Sequence, residues 1–147
     1  MRTVRVVVAD QSEARFFDST DQGVTLRDVG RLVDSEGRKK EHDLVTDGPG
    51  SAVSGGHGHY ALQHRSSRKE HDVELFARQV VARLVAGSSA GEFDDITIMA
   101  APRFLGALRK AMPPAIRSKV KHEIHHDLVH QSEEVIRAHL PERGPEQ

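Results

Sequence analysis

Two adjacent glycines followed by a histidine, Gly55-Gly56-His57, form the motif with the clearest chemical potential in this sequence, and Gly58 and His59 come directly after it. Paired glycines allow backbone conformations that other residues avoid, so their amides can approach a phosphate or an ester closely. An imidazole at position 57 can accept a proton near neutral pH. His57 is therefore a candidate catalytic base, and His57 with His59 is a candidate pair of metal ligands. The alternative is a solvated loop whose glycines have no chemical role.

Carboxylates at predicted strand ends suggest a second kind of chemistry. Ligands of open α/β sheets bind at the carboxyl ends of the strands, and carboxylates gathered there can hold magnesium. Asp10 and Asp127 lie at the C-terminal ends of predicted strands and are the candidate catalytic pair, whereas Asp94 and Asp95 lie at the N-terminal edge of theirs and are expected at the opposite edge of the sheet. Two carboxylates are fewer than a two-metal site needs, so the alternative role for them is in turns and caps.

A second histidine cluster lies near the C-terminus. If residues 121–129 form a strand, His122 and His126 share one face and His125 lies on the other, because side chains alternate along a strand. A metal site needs ligands that converge from two elements. This cluster is therefore predicted to be solvated rather than metal-binding.

The stretch from Ile96 to His122 contains no acidic residue. It carries six basic residues: Arg103, Arg109, Lys110, Arg117, Lys119 and Lys121. Such segregation of charge creates a local positive surface suited to phosphates. The alternative is an ordinary solvated helix face. A net charge of -1 argues against a protein that coats nucleic acid with its whole surface.

Composition narrows the function classes further. The chain has 147 residues, which is typical of one domain, and no cysteine, which excludes disulfides and thiolate nucleophiles. Only 4% of the residues are aromatic, which disfavours base stacking on aromatic platforms. The N-terminus does not resemble a signal peptide and no apolar run could span a bilayer, so a cytoplasmic protein without membrane contact is expected.

Periodicity then places these residues on elements. Five strands are predicted, at Val4–Ala9, Ala14–Asp18, Val24–Val33, Phe93–Ala101 and Lys121–Val129. Four helices are predicted. The first follows a capping box at Ser67 and Glu70 and ends at a cap at Gly87, and the last runs from a cap at Ser132 to Leu140. The other two cover Arg103–Met112 and Ile116–Val120. Gly30 is predicted to mark a bulge in the third strand.

This order of elements predicts one α/β domain over residues 1–147. Hairpins in the first half indicate antiparallel pairing, and strands alternating with helices in the second half indicate parallel crossovers. The sum is a mixed five-stranded sheet flanked by helices. A long Gly- and His-rich loop is predicted at 34–69 and a frayed tail at 142–147.

Five segments, in order along the chain, resemble the bacterial host-attachment proteins. The most specific is Ala100–Arg109 (AAPRFLGALR), which resembles the family pattern of a strand, Ala-Pro and a Leu-Gly-x-Leu-Arg helix. Val8–Asp10 and Ala14–Phe17 resemble its opening hairpin, Phe76-Ala77 its central helix, and Asp127-Leu128 the end of its last strand. The family is described as required for attachment to host cells.

That family is similar to the middle domain of the archaeal and eukaryotic release factors, which has an RNase H-like layout and a Gly-Gly-Gln loop. Here His57 stands where the glutamine would be, and the flanking Pro49-Gly50-Ser51 and His59-Tyr60-Ala61 also differ from the family pattern. The resemblance implies a non-catalytic domain that binds ribosomal RNA or tRNA, without a cofactor. The alternatives are a hydrolase of peptidyl-tRNA or nucleic acid and an indirect adaptor in attachment to host cells.

Overall fold

A computed structural model describes residues 2–34 and 58–141 of the chain. Five strands and four helices lie within these ranges. In chain order they are β1 (Val4–Ala9), β2 (Glu13–Ser19), β3 (Arg27–Val33), α1 (Gly58–Ser89), β4 (Asp95–Met99), α2 (Pro102–Ala111), α3 (Pro114–Arg117), β5 (Val120–Ile124) and α4 (Glu133–Ala138).

The five strands form one mixed sheet in the order β3-β2-β1-β4-β5. The pairs β1–β2 and β2–β3 are antiparallel, and the pairs β1–β4 and β4–β5 are parallel. Short hairpins join the antiparallel strands, and helical crossovers join the parallel ones, as the order of elements predicts. The α/β class and the mixed five-stranded sheet flanked by helices are confirmed, whereas the RNase H-like layout stays a prediction.

Alternation along the strands gives the sheet two apolar faces. Val7 and Phe16 face a core that α1 and α2 cover, and the rings of Phe76 and Phe104 lie 5.9 Å apart within it. Val8 belongs to a second core on the opposite face, which residues 125–141 cover. Three buried residues of that segment fill the second core: Leu128, Val129 and Ile136.

Helix α1 begins at Gly58, so the predicted capping box at Ser67 is wrong and the loop cannot extend to residue 69. The 32 residues of α1 span about 48 Å, roughly twice the length of the strands that the helix covers. The helix is therefore much longer than the strands of the sheet. No helix in the described ranges is both long and apolar enough to cross a bilayer.

The predicted cap at Gly87 is also wrong. Gly87 is buried inside α1, and the glycine that adopts the left-handed conformation after the helix is Gly91, with φ +72°. A Cβ at position 87 would lie 2.8 Å from Cε2 of Phe93 and 3.1 Å from Nη1 of Arg5. Gly87 is therefore needed for close packing rather than for a turn.

Strand β3 begins at Arg27, not at Val24. Residues before it form a turn in which Oδ1 of Asp21 accepts a hydrogen bond from the Thr25 amide at 2.9 Å, and Leu26 is buried in the second core. The irregularity predicted at Gly30 is confirmed, because the pairing of β2 with β3 shifts by one residue beside it.

Strand β5 ends at Ile124, so the predicted strand over Lys121–Val129 is too long. Ile124, the last residue of β5, accepts a hydrogen bond from the Ala100 amide at 3.0 Å. The chain then crosses to the second face. Asp127 consequently lies beyond the strand rather than at its end, and the expected alternation of His122 and His126 on one strand face is wrong.

Candidate functional site

Helix α2 presents part of the acid-free stretch to solvent. Pro102 is its first residue, close to the predicted start, and Phe104, Leu105 and Leu108 are buried. This apolar stripe leaves Arg109 and Lys110 exposed in the last turn of the helix. Cations near a helix C-terminus interact favourably with the partial negative charge of the free carbonyls.

Further cations meet at the same end of α2. Nη2 of Arg117, the last residue of α3, donates to the carbonyl oxygen of Arg109 at 2.9 Å. Nζ of Lys121 donates to the carbonyl oxygen of Ser118 at 3.2 Å. We call Arg109, Lys110, Arg117 and Lys121 the basic cluster. Three of the six predicted phosphate-binding residues thus lie at the C-terminal end of α2 or bind to it, and the fourth, Lys121, binds the residue that follows α3.

One cation of the cluster has an acidic partner. Nε of Arg109 donates to Oε2 of Glu123 at 3.1 Å, and Nη2 contacts Oε1. The hydrogen bond from Arg109 lowers the pKa of Glu123. Because Glu123 lies one residue beyond the acid-free stretch, the composition of that stretch does not predict the pairing of Arg109 with Glu123. Arg109 is consequently less available to a phosphate than Lys110 is.

Two other predicted residues lie apart from the cluster. Arg103 is in the first turn of α2, about 9 Å along the axis from Arg109, and its Nη2 lies 3.9 Å from Oε1 of Glu70. Lys119 is half-buried, with Nζ 5.7 Å from the centre of the Phe93 ring. The six residues therefore do not form one continuous surface.

At the carboxyl edge of β1, Asp10 holds a turn. Its Oδ1 accepts hydrogen bonds from the amides of Ser12 and Glu13, both at 2.8 Å. Asp127 is exposed, and no contact among the described residues joins it to Asp10. The hydrogen bonds of Asp10 agree with a structural role in a turn, which was the alternative to a catalytic role.

Two residues that the sequence did not single out lie beside Asp10. Glu13 is only 1% exposed, and Arg31 from β3 covers its Oε2. The ring of His130 lies between the two carboxylates, with Nε2 3.6 Å from Asp10 and Nδ1 4.0 Å from Glu13. Arg15 also holds this part of the chain, by donating to the carbonyls of residues 129 and 131. These contacts dock the C-terminal segment onto β1 and β2.

No three histidine, aspartate or glutamate side chains within residues 2–34 and 58–141 are arranged to hold a metal ion. Gly55, Gly56 and His57 lie outside the described residues, and so does any site that would include them. Gly58 and His59 are the first two residues of α1. The predicted catalytic and metal-binding roles of this motif stay predictions.

The opposite edge of the sheet holds the remaining acids. Asp94 accepts a hydrogen bond from the Thr3 amide at 2.8 Å, and Asp95 binds Arg2 through both carboxylate oxygens. Both lie at the N-terminal end of β4, as predicted. They anchor the start of the chain to the sheet.

A buried ion pair lies next to this edge, between Arg5 on β1 and Asp18 on β2. Nε of Arg5 donates to Oδ1 of Asp18 at 2.5 Å and Nη2 donates to Oδ2 at 2.9 Å. Burial opposes the charge of Arg5, but the hydrogen bonds and the attraction of Asp18 and Glu92 raise the pKa of the guanidinium overall. The ring of Phe93 covers it, with the centre 4.6 Å from Cζ.

A cavity of about 370 Å³ opens beside this pair and is lined by Thr3, Asp18, Thr20, Asp21, Thr25, Arg27 and Glu92. Its acids already have structural partners: Asp18 and Glu92 bind Arg5, and Asp21 holds the turn before β3. The cavity is therefore a weaker candidate for a functional site than the basic cluster.

Residues 5–140 match the sequence family described as "Protein required for attachment to host cells". The chain belongs to this family. The resemblance of the five segments to the host-attachment family is confirmed, whereas the relationship to release factors stays a prediction. No curated protein matches the chain.

Among solved structures, the host-attachment chain is similar to one described as "Archaeal protein", with 8% identity and a TM-score of 0.45. The match covers 94% of this chain and 36% of the other, so the chain spans about a third of that structure.

Proposed function

We propose that this protein is a non-catalytic RNA-binding protein that contacts the phosphates of ribosomal RNA or tRNA through the basic cluster. The observation that carries the proposal is the position of three cations near the C-terminal end of α2. Lys110 lies in the last turn of α2, Arg117 binds the Arg109 carbonyl in the same turn, and Lys121 binds the Ser118 carbonyl just after α3. None of these three cations pairs with a carboxylate among the described residues. Their charge is free to neutralise phosphates.

The position of the cluster on rigid elements supports this use. Arg117 is fixed by its hydrogen bond to the end of α2, and Lys121 lies on β5, the edge strand that pairs with β4. Cations held in place lose less conformational entropy on binding than cations on a loose segment would. Because the net charge of the whole chain is -1, attraction to RNA would be local and would fall steeply with salt.

The proposal is tested with the variant Lys110→Ala/Lys121→Ala, using ribosome co-sedimentation and the fluorescence anisotropy of labelled tRNA and ribosomal RNA fragments. The plot of log affinity against log salt concentration should become shallower by about 2, since each lysine accounts for about one phosphate contact. Binding should weaken to a similar degree for all RNA sequences, because phosphate contacts carry no sequence information.

The matched control is Arg27→Ala/Arg78→Ala, which removes two exposed cations that lie outside the cluster. This variant should keep the salt dependence of the wild type. Absence of the wild-type protein from the ribosomal fraction at both low and high salt, together with no binding to either RNA, would show that the proposal is wrong. Equal losses in the two variants would show that the basic cluster is not the contact surface.

A further inference from the structure

Two histidine rings meet on the second face of the sheet. His126 follows β5, and His139 follows the last turn of α4. Their ring centres are 5.1 Å apart and the ring planes meet at 61°. Both residues are exposed, so an ion in solution can reach them.

The hydrogen bonding of His139 determines which of its nitrogens can bind an ion. Nδ1 lies 2.9 Å from the carbonyl oxygen of Val135. A carbonyl oxygen only accepts, so Nδ1 must carry the proton, and a neutral ring then has its lone pair on Nε2. A backbone carbonyl that fixes the tautomer in this way is the usual outer partner of a metal-binding histidine.

We propose that His126 and His139 together bind one Zn²⁺ ion. A zinc–nitrogen bond of about 2.0–2.1 Å places each ring centre about 3.2 Å from the ion, and two imidazoles at a tetrahedral angle then have centres about 5.2 Å apart. The observed separation of 5.1 Å matches this spacing. The two rings now meet edge-on at 61°, so they must turn until Nε2 of His139 and a ring nitrogen of His126 face the same ion.

The donor set selects the class of ion. Imidazole nitrogens favour zinc, copper and nickel, whereas magnesium and calcium require oxygen ligands. No third histidine or carboxylate in the part of the chain that the structure describes completes the set, so water fills the other positions. The ion would join the end of β5 to the end of α4 and fasten the segment that covers the second core.

The test is zinc titration of the full chain by calorimetry near neutral pH, comparing the wild type with His126→Gln and His139→Gln. The ten histidines of the chain make the total amount of bound zinc uninformative, so the difference between the variants is the measurement. Each variant should bind one zinc equivalent less than the wild type. The neighbouring exposed residue provides the control, because His125→Gln should lose none.

Thermal unfolding supplies a second measurement. An ion that binds the folded protein raises its unfolding midpoint. Zinc should raise the midpoint of the wild type and of His125→Gln by more than that of the two other variants, and magnesium should have no such effect. If His126→Gln or His139→Gln binds as much zinc as the wild type and shows the same rise, or if His125→Gln loses the same equivalent, the site does not exist.

Discussion

Replacement of Gly87 by alanine tests the close packing of α1 against the buried ion pair. Inside a helix, alanine is normally more favourable than glycine by about 0.8–1.0 kcal/mol. Here the new Cβ would lie 2.8 Å from Cε2 of Phe93 and 3.1 Å from Nη1 of Arg5. The ring of Phe93 is 3% exposed and lies against Arg5, which Asp18 holds through two hydrogen bonds. Neither neighbour can move without breaking other contacts.

The matched control is Gly106→Ala in α2, where an added Cβ would have no neighbour within 4 Å. Gly106→Ala should gain the helix propensity of alanine in full, about 0.8–1.0 kcal/mol. Gly87→Ala should gain the same amount and lose about 1–3 kcal/mol through overpacking. The free energy of unfolding of Gly87→Ala is therefore expected to be about 1–3 kcal/mol below that of Gly106→Ala.

Urea denaturation of both variants and the wild type measures these differences, and an unchanged denaturant dependence would show that the unfolding transitions are comparable. If the two variants are equally stabilised, the approach of Phe93 and Arg5 to Gly87 is looser than the structure indicates. Gly87 would then not be needed for close packing.

Two further predictions concern ion pairs. Asp18→Ala leaves the guanidinium of Arg5 buried at 4% exposure without its main partner, so urea denaturation should show a loss of about 3–5 kcal/mol, and a loss below 1 kcal/mol would contradict a buried pair. Glu123 has a lowered pKa in the folded state, so its contribution is present at neutral pH and is lost as the pH falls below the ordinary glutamate value of about 4.3. At pH 7 the wild type should be more stable than Glu123→Gln by less than about 1 kcal/mol, because the ion pair lies at the surface. Urea denaturation at a series of decreasing pH values should show that this difference disappears in acid. A difference in stability that grows as the pH falls would contradict the pairing of Glu123 with Arg109.

Periodicity was sufficient to predict which segments are strands and helices, because apolar side chains must repeat at the spacing of the element that buries them. It failed at the ends of elements. Helix α1 begins at Gly58, whereas the apolar residues at helical spacing in the sequence start only at Val73. The apolar residues Leu128 and Val129 suggested a longer β5, although they pack on the other face of the sheet.

Side-chain clusters that form between distant parts of the chain cannot be predicted from the spacing of residues in the sequence. Glu13 and His130 become neighbours only when the C-terminal segment crosses the second face. Sequence distance groups His126 with His122 and His125, whereas the ring that His126 contacts in the structure is that of His139. The spacing of polar residues along the chain gives no sign of which of them will meet.

The division of charge between structural and free groups supports the proposed binding of phosphates by the basic cluster. The carboxylates at strand ends mostly have backbone or ion-pair partners: Asp10 and Asp21 hold turns, Asp94 anchors the N-terminus and Asp18 neutralises Arg5. A carboxylate that already accepts several hydrogen bonds is poorly suited to bind a catalytic ion. At the end of α2, in contrast, the bonds of Arg117 and Lys121 go to backbone carbonyls, which fix the side chains without cancelling their charge. Positioned cations with uncancelled charge are what phosphate recognition requires.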